Sequence, residues 1–280
     1  MDKIGIIGSG TMGSGITHVS AIGGFNTYLL DINKDYLESS KQTIIVNMQR
    51  QVDKKKIAPE IMDKAIKKIK FTTDYSDLID CDVIIEAATE NKNIKKEIFK
   101  NLDTMCDDNT IIATNTSSIS ITELAKCTKR PEYVIGMHFM NPVPIMTLVE
   151  VVNGELTKKE TTDRIIELSL EMGKKPIECN DSPGFVTNRI LMPMLNEAFY
   201  CLMENVATKE AIDEIMKLGM AHPMGPLELA DLIGLDVCYN ILEVLYQDFN
   251  DNKYLPCPLL KEMVVNGYLG RKTNKGFYNY

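Results

Sequence analysis

The chain has 280 residues, of which 44% are apolar and 25% are charged, and its formal net charge is −8. This length favours two domains, and the acidic balance argues against nucleic acid as a partner. No segment has the roughly 18 uninterrupted apolar residues of a membrane helix, and the start, MDKIGIIGSG, leaves no room for a signal peptide. The seven cysteines occur singly and form no CxxC pair, which is typical of reduced thiols and not of a metal site. We therefore expect a cytoplasmic protein that binds no metal, membrane or nucleic acid.

Short apolar runs alternate with amphipathic stretches in about the first 150 residues, a pattern typical of strand–helix units on a mostly parallel sheet. The predicted strands are Lys3–Gly8, Phe25–Asp31, Val83–Ala87, Thr110–Ala113, Tyr133–Phe139, Thr147–Val152 and Lys175–Cys179. Helices are predicted at Thr11–Ile22 and Thr157–Met172, and the polar stretch Lys34–Lys70, broken near Pro59, predicts a helical hairpin inserted in the sheet. After Asn180 only helices are predicted. The first of them, Phe185–Glu204, is apolar nearly all round and is expected to be buried, between domains or between subunits.

A glycine-rich loop follows the first predicted strand and opens the first predicted helix, which is the context that the G-x-G-x-x-G motif requires. Its first glycine permits a tight turn, the second lets a pyrophosphate approach the backbone, and the third lets the helix pack closely on the sheet. The N–H groups at the start of the helix would face the phosphates. The predicted cofactor-binding residues of this loop are Gly8, Gly10, Thr11, Met12 and Gly13.

Asp31 ends the second predicted strand, about 20 residues after the first glycine, where a carboxylate can accept hydrogen bonds from the ribose hydroxyls. The carboxylate would repel a 2′-phosphate, and no basic residue follows before Lys34, so NAD is favoured over NADP. The alternative is a structural glycine turn with a helix-capping Asp. Together with the strands and helices, these motifs predict an α/β fold: a Rossmann-type, mostly parallel sheet with an inserted helical hairpin in residues 1–183, and an all-α domain in residues 184–280.

The three histidines have different surroundings in the predicted elements. His18 lies within the first helix and is expected to be a packed residue, and His222 precedes Pro223 in a turn with an expected structural role. His138 ends the strand YVIGMHF directly before a loop with two prolines. Since ligands of open α/β sheets bind beyond the carboxyl ends of strands, His138 is the candidate catalytic residue.

Glu150 lies among apolar residues in the next predicted strand, where a carboxylate is costly unless it is paired. A pair with His138 would fix the tautomer of the imidazole and stabilise its protonated form, as a general acid/base requires. The alternative is a Glu that faces water beside a satisfied histidine. Spacing leaves both interpretations open.

Two further polar residues can face the same crevice. Ser117 belongs to a polar cluster after the strand TIIA, although this cluster is also suited to capping a helix that begins near Ser120. Asn188 lies near the start of the apolar helix, where it can reach the domain cleft or form an interhelical hydrogen bond.

Taken together, these residues resemble the L-3-hydroxyacyl-CoA dehydrogenase family, and the resemblance covers nearly the whole chain. The segments that carry it are GIIGSGTMGSGI, EAATEN, NTSSISIT, HFMNPVPIMTLVEVV, DSPGFVTNRI, HPMGPLELADLIGLD and GRKTNKGFY. The chain most closely resembles the bacterial members of this family that act on the four-carbon thioester. The resemblance implies an NAD(H)-dependent oxidoreductase for short-chain 3-hydroxyacyl-CoA, a coenzyme A thioester, with a homodimer formed through residues 184–280.

The resemblance also implies a role for each site residue. His138 would be the general acid/base and Glu150 would orient it, while Ser117 and Asn188 would hydrogen-bond the oxygen atoms of the substrate. The residues near the nicotinamide and its ribose would be Glu90, Lys95 and Asn115. A CoA contact is assigned to Lys54, in the basic run of Arg50, Lys54, Lys55 and Lys56.

Three alternative functions share parts of this pattern. Dehydrogenases of the 3-hydroxyisobutyrate or 6-phosphogluconate type place a catalytic lysine on the interdomain helix, but here no lysine occurs from Phe185 to Lys209. A sugar-acid (gulonate-type) dehydrogenase of the same superfamily remains open, although the basic hairpin favours a CoA ester. A non-catalytic NAD(H) sensor would need none of the four predicted catalytic residues.

Overall fold

The structure, a computed structural model, describes residues 2–280 and contains two compact units. The first unit ends at Asp181 and the second is Ser182–Tyr280.

The first unit is built on an eight-stranded sheet. Its strands are β1 (Lys3–Ile7), β2 (Asn26–Leu30), β3 (Ile69–Thr72), β4 (Val83–Glu86), β5 (Ile111–Thr114), β6 (Val134–Phe139), β7 (Leu148–Asn153) and β8 (Lys175–Asn180). They are ordered β3-β2-β1-β4-β5-β6-β7-β8, and every neighbouring pair is parallel except β6–β7, which is antiparallel. The central strands are apolar on both faces because helices cover the parallel sheet on both sides. The predicted α/β, mostly parallel fold is confirmed.

Six helices connect these strands: α1 (Thr11–Ile22), α2 (Lys34–Asp53), α3 (Pro59–Lys67), α4 (Lys92–Met105), α5 (Ile121–Ala125) and α6 (Lys159–Glu171). The helical hairpin is present as α2 and α3, and Pro59 is the first residue of α3, a position that suits proline. The prediction that helix continues to Lys70 is wrong, because β3 begins at Ile69 and pairs with β2 at the edge of the sheet. This four-residue strand was missed because its sequence, IKFT, is too short to show a period of its own.

The second unit is helical, with α7 (Thr187–Met203), α8 (Lys209–Met220), α9 (Pro226–Ile233), α10 (Leu235–Phe249) and α11 (Pro258–Val265). Its core includes Phe199 and Phe277, whose rings stack with centroids 5.1 Å apart. Helix α7 begins at Thr187 and not at Phe185, because Gly184 and Phe185 have positive φ angles of 71° and 50°. Within residues 2–280 no helix combines the length and apolar character needed to span a bilayer.

In the single chain, α7 is buried on one face only, and its expected burial between subunits stays a prediction. Met192, Leu195 and Phe199 are buried on one face of the helix, but Ile190 is 66% exposed. Amphipathic packing against one core accounts for the buried face only.

Candidate active site

Several of the predicted functional residues of the first unit lie where neighbouring parallel strands end. The glycine loop follows β1, Glu90 follows β4, and Asn115 and Ser117 follow β5. Since β1, β4, β5 and β6 are consecutive neighbours in the sheet, these loops and His138 share one edge. Such an edge is where open α/β sheets bind ligands.

The glycine loop has the form needed to hold a dinucleotide. A Cβ atom at Gly8 (φ 98°) would lie 2.5 Å from Cα of Ala88, and one at Gly13 would lie 1.8 Å from the carbonyl oxygen of Gly8. At Gly10, by contrast, a Cβ would meet no atom within 4 Å, so the space above the start of α1 is open. Glycine is therefore needed at Gly8 and Gly13 because the packing is tight, whereas at Gly10 it leaves space for a ligand to approach the backbone.

The N-terminus of α1 is suited to an anion. Gly10 provides no side-chain cap, and no acidic residue lies in the first turn, which begins with Thr11 and Met12. Uncapped N–H groups and the helix dipole favour negative charge at this point. The loop therefore fits the pyrophosphate of a dinucleotide.

Asp31 lies directly after β2 and is tied to the glycine loop. Its Oδ2 accepts hydrogen bonds from the backbone N–H (2.8 Å) and the hydroxyl (2.7 Å) of Ser9, and its Oδ1 accepts one from the N–H of Asn33 (3.0 Å). These bonds hold the carboxylate beside the loop, where a carboxylate accepts from ribose hydroxyls.

Glu90 organises the turn that carries Ser117. Its Oε1 accepts from the Thr116 hydroxyl (2.6 Å), and from the N–H and hydroxyl groups of Ser117 (2.9 and 3.2 Å) and Ser118 (3.1 and 2.9 Å). Burial acts to raise the pKa of Glu90, but the nearby Lys95 ammonium and these donors outweigh it and hold the pKa below its usual range. Ser117 is thus ordered by Glu90, while Ser120 provides the N-cap of α5.

Lys95 is buried beneath this turn on α4. Its Nζ lies 2.5 Å from Glu86 Oε2 and 3.8 Å from Glu90 Oε2, with side-chain exposures of 1%, 0% and 44% for the three residues. Glu86, at the end of β4, also accepts from the N–H of Ala88 and the hydroxyl of Thr114. The Lys95 side chain therefore holds two carboxylates, one in the core and one at the surface of the site.

Asn115 is fixed by the strand that carries His138. Its Oδ1 accepts the backbone N–H of Phe139 at 2.9 Å. This bond fixes the orientation of the amide and uses one lone pair of its oxygen, so its NH₂ group can donate to other partners.

His138 and Glu150 form a buried pair at the carboxyl end of β6. They lie directly opposite each other in the antiparallel β6–β7 register, and His138 Nδ1 is 2.7 Å from Glu150 Oε2. Their side chains are 9% and 4% exposed. Of the two interpretations that spacing left open, the structure supports the pair.

A cavity of about 410 Å³ lies beside the glycine loop. Residues of the loop, α1, α2 and the segment after β6 line it, and many of them carry hydroxyl or amide groups: Ser14, Ser39, Ser40, Thr43, Asn47 and Asn141. Lys54 is exposed at the C-terminal end of α2. It lies two helical turns, or about 10 Å, beyond Asn47 on the same side of the helix.

The other two histidines have different surroundings, although His18 also lines this cavity. His18 is 1% exposed, and its Nε2 lies 3.2 Å from Gln51 Oε1. Burial lowers the pKa of His18 to about 4, the Lys174 ammonium acts in the same direction, and the Gln51 hydrogen bond opposes both. His222 follows the C-terminus of α8.

Asn188 belongs to the second unit, where it is buried in the first turn of α7 and its N–H bonds to the carbonyl of Gly184. The structure thus brings together His138 with Glu150, Glu90 with Ser117 and Lys95, and Asp31 with the glycine loop. Sequence reasoning missed Glu86 and Thr116. Glu86 closes an apolar strand, the same signal that identified Glu150.

The fold and the site define an NAD-dependent dehydrogenase of the two-domain type. The model of the 3-hydroxyacyl-CoA dehydrogenase NAD binding domain matches residues 3–182, and that of the C-terminal domain of the same family matches residues 184–280. The chain belongs to the 3-hydroxyacyl-CoA dehydrogenase family, a family of NAD-dependent oxidoreductases. The resemblance stated from the sequence motifs is confirmed.

Relatives are similar over the full length. The chain is 51% identical to the 3-hydroxybutyryl-CoA dehydrogenase of Clostridioides difficile, covering 99% of both chains. It is 50% identical to the enzyme of the same name from Bradyrhizobium diazoefficiens, covering 99% of this chain and 95% of that one. Among solved structures, the (S)-3-hydroxybutyryl-CoA dehydrogenase of Ralstonia eutropha matches with a TM-score of 0.97 at 48% identity, covering 100% of this chain and 99% of the other.

Proposed function

We propose that this chain catalyses the NAD(H)-dependent interconversion of acetoacetyl-CoA and (S)-3-hydroxybutyryl-CoA, with His138 as the general acid/base. The observation that carries the proposal is the buried His138–Glu150 pair, 2.7 Å apart, at the sheet edge that also carries the glycine loop. A binding protein has no use for an imidazole held in this way. The names of relatives at about 50% identity support the four-carbon substrate.

The geometry of the pair supports one proton route. With Glu150 accepting from Nδ1–H, the unprotonated Nε2 is the atom that takes the proton of the 3-hydroxyl group during oxidation. Glu150 stabilises the imidazolium that results, and in reduction the same proton returns to the substrate oxygen. NAD, when bound, supplies the acceptor or donor of the hydride at C3.

The remaining predicted residues align the reactants. Ser117 and Asn188 would hydrogen-bond the oxygen atoms of the substrate, and Glu90 and Asn115 would contact the nicotinamide and its ribose. Because Lys95 is buried, we propose that it serves the cofactor by holding Glu90 in place. Asp31 and the residues of the glycine loop would bind the ribose and pyrophosphate.

The cavity beside the glycine loop supports a coenzyme A ester as the substrate class. Hydroxyl and amide side chains on its wall suit the amides of a pantetheine arm, and Lys54, with Lys55 and Lys56, provides positive charge for the CoA phosphates in an otherwise acidic protein. A free sugar acid carries no phosphates for this basic run to bind.

We further propose that residues 1–183 bind NAD and that residues 184–280 form a homodimer and one wall of the cleft. The proposed location is the cytoplasm, since all seven cysteines are free thiols, four of them buried.

Initial rates of NADH loss with acetoacetyl-CoA, a longer 3-ketoacyl-CoA and free acetoacetate test this function. We expect fast turnover of the short thioester alone. Comparable rates with the longer ester would broaden the role to general 3-hydroxyacyl-CoA oxidation. NADH binding without turnover of any thioester would contradict the proposal and favour the sugar-acid or sensor alternatives.

A further inference from the structure

Lys174 is a buried cation that the proposed mechanism does not use. It lies between α6 and β8, and 7% of the residue is exposed. Within residues 2–280 no carboxylate lies within ion-pair distance of its ammonium group. A buried charge without a counter-ion is costly unless hydrogen bonds compensate it.

The compensation comes from one loop. The ammonium of Lys174 donates hydrogen bonds to the backbone carbonyls of Val143 and Met146, the latter at 2.9 Å. Both residues belong to the segment 140–147, which joins β6 to β7 and so connects the strand of His138 to the strand of Glu150. Burial without a counter-ion lowers the pKa of Lys174 from its ordinary value. The two carbonyls act against this effect, because they accept hydrogen bonds from the charged ammonium.

The same loop is also packed against α1. A Cβ at Gly15 would lie 2.7 Å from Cβ of Val143, so no side chain larger than that of glycine fits between helix and loop. Val143 and Pro144 also line the cavity of about 410 Å³ assigned above to the thioester. The loop is therefore held by two contacts, the packing of Val143 on α1 and the hydrogen bonds from Lys174.

We propose that Lys174 is a positioning residue for thioester binding: its ammonium fixes the loop 140–147, and the loop forms the wall of the cavity. The expected change in KM rests on the proposed function, whereas the anchoring of the loop by Lys174 does not. The register of β6 and β7 is held by the strand pairing itself, so losing the ammonium shifts the cavity wall more than it shifts His138.

Lys174→Met tests the inference, because Met keeps the length of the side chain and removes the charge and the donors. We expect KM for acetoacetyl-CoA to rise by roughly 10- to 100-fold, the cost of a small misplacement of a binding wall, with a much smaller change in kcat. KM for NADH should stay unchanged, since the glycine loop is not touched. Lys174→Arg, which keeps a cation with N–H donors, should recover part of the loss.

Hydrogen exchange of the peptide covering 140–147 provides a readout that does not depend on the substrate. It should become faster in Lys174→Met while exchange in β1 stays as in the wild type. Lys175→Met, at the exposed neighbouring position, is the matched control. It should change neither KM for acetoacetyl-CoA nor hydrogen exchange in 140–147. If Lys174→Met yields no folded protein, Lys174→Gln, which keeps an amide donor, is measured in the same way.

The outcomes separate the two proposals. A lower melting temperature with unchanged KM and unchanged loop exchange would overturn the positioning role. If hydrogen exchange in 140–147 is faster in Lys174→Met but the wild type turns over no thioester, Lys174 anchors the loop and the proposed function is contradicted.

Discussion

His138 Nδ1 lies 2.7 Å from Glu150, and in the proposed mechanism its Nε2 exchanges a proton with the substrate. Replacing His138 with Ala removes this group without touching the glycine loop. We expect kcat for acetoacetyl-CoA reduction to fall by about 100- to 10,000-fold, the usual contribution of a general acid/base, while Kd for NADH, measured by fluorescence titration, stays nearly unchanged. His222→Ala is the control and should retain both. Wild-type turnover in His138→Ala would show that another group moves the proton.

His18 should make the stability of the protein depend on pH. Its pKa is about 4 in the folded chain against 6.5 when exposed, because burial penalises the charged ring. Between these values the unfolded chain binds a proton that the folded chain does not, so the contribution is fully present above pH 6.5 and is lost as pH falls towards 4.

The loss can be measured by urea unfolding at pH 7 and pH 4.5. We expect the wild type to lose about 2–3 kcal/mol more than His18→Gln over this interval. Other groups titrate in both proteins and cancel in the difference. An equal loss in both proteins would contradict the assignment of a neutral, buried imidazole, and His222→Gln should behave as the wild type does.

At this scale the sequence identified the candidate residues but not their partners. His138 could be singled out because it ends a strand before a rigid loop. Its pairing with Glu150 depends on the register of two antiparallel strands, which a 12-residue separation does not determine. The position of Lys95 was harder still, since it requires knowing which side of α4 faces the end of β4.

At the scale of elements, the Glu86–Lys95 ion pair attaches α4 to β4 beneath the turn that carries Ser117. Removing the lysine leaves the buried Glu86 carboxylate without its cation, and such a loss typically costs about 3–5 kcal/mol. We expect Lys95→Met to lower the free energy of unfolding by about this amount. Glu86→Gln should lower it by less, because Glu90 still lies 3.8 Å from the Lys95 ammonium. The double variant should lose less than the two single variants together, because it leaves no charge unpaired.

The exposed pair Lys100–Glu97, on the same helix, is the matched control. Because both of its side chains face water, Lys100→Met should leave the urea midpoint within experimental error. Additive losses at Glu86 and Lys95 would mean that the two residues act independently and that their short distance carries no coupling energy.

Element types were easier to predict than element edges. The hairpin α2–α3 was indicated by Pro59, whereas β3 was hidden because a four-residue edge strand offers no period to detect. The start of α7 was misjudged by two residues because the left-handed backbone at Phe185 has no signal in its side chain.

At the scale of the whole chain, the change from alternating strands and helices to helices alone could be predicted from the turn residues at 180–184. The apolar surface that the single chain leaves exposed could not be predicted from the sequence. A helix that is apolar nearly all round has the same pattern whether its own unit or a second chain buries it. Among the described residues, twelve large apolar side chains are exposed in the 99 residues of the second unit, against eleven in the much longer first unit.

This excess predicts that the second unit associates with a second copy. Ile215 and Leu218, neighbours on one face of α8, are 61% and 82% exposed, and burying them against a symmetry mate would remove apolar surface from water. We expect sedimentation velocity to give twice the 31.5 kDa of one chain.

Leu218→Glu should weaken the dimer, because it would place two like charges in an apolar contact. Leu170→Glu, at a 57% exposed position on α6 of the first unit, should not weaken it. A wild-type monomer at assay concentrations would refute the dimer, whereas a dimer unaffected by Leu218→Glu would move its interface away from α8.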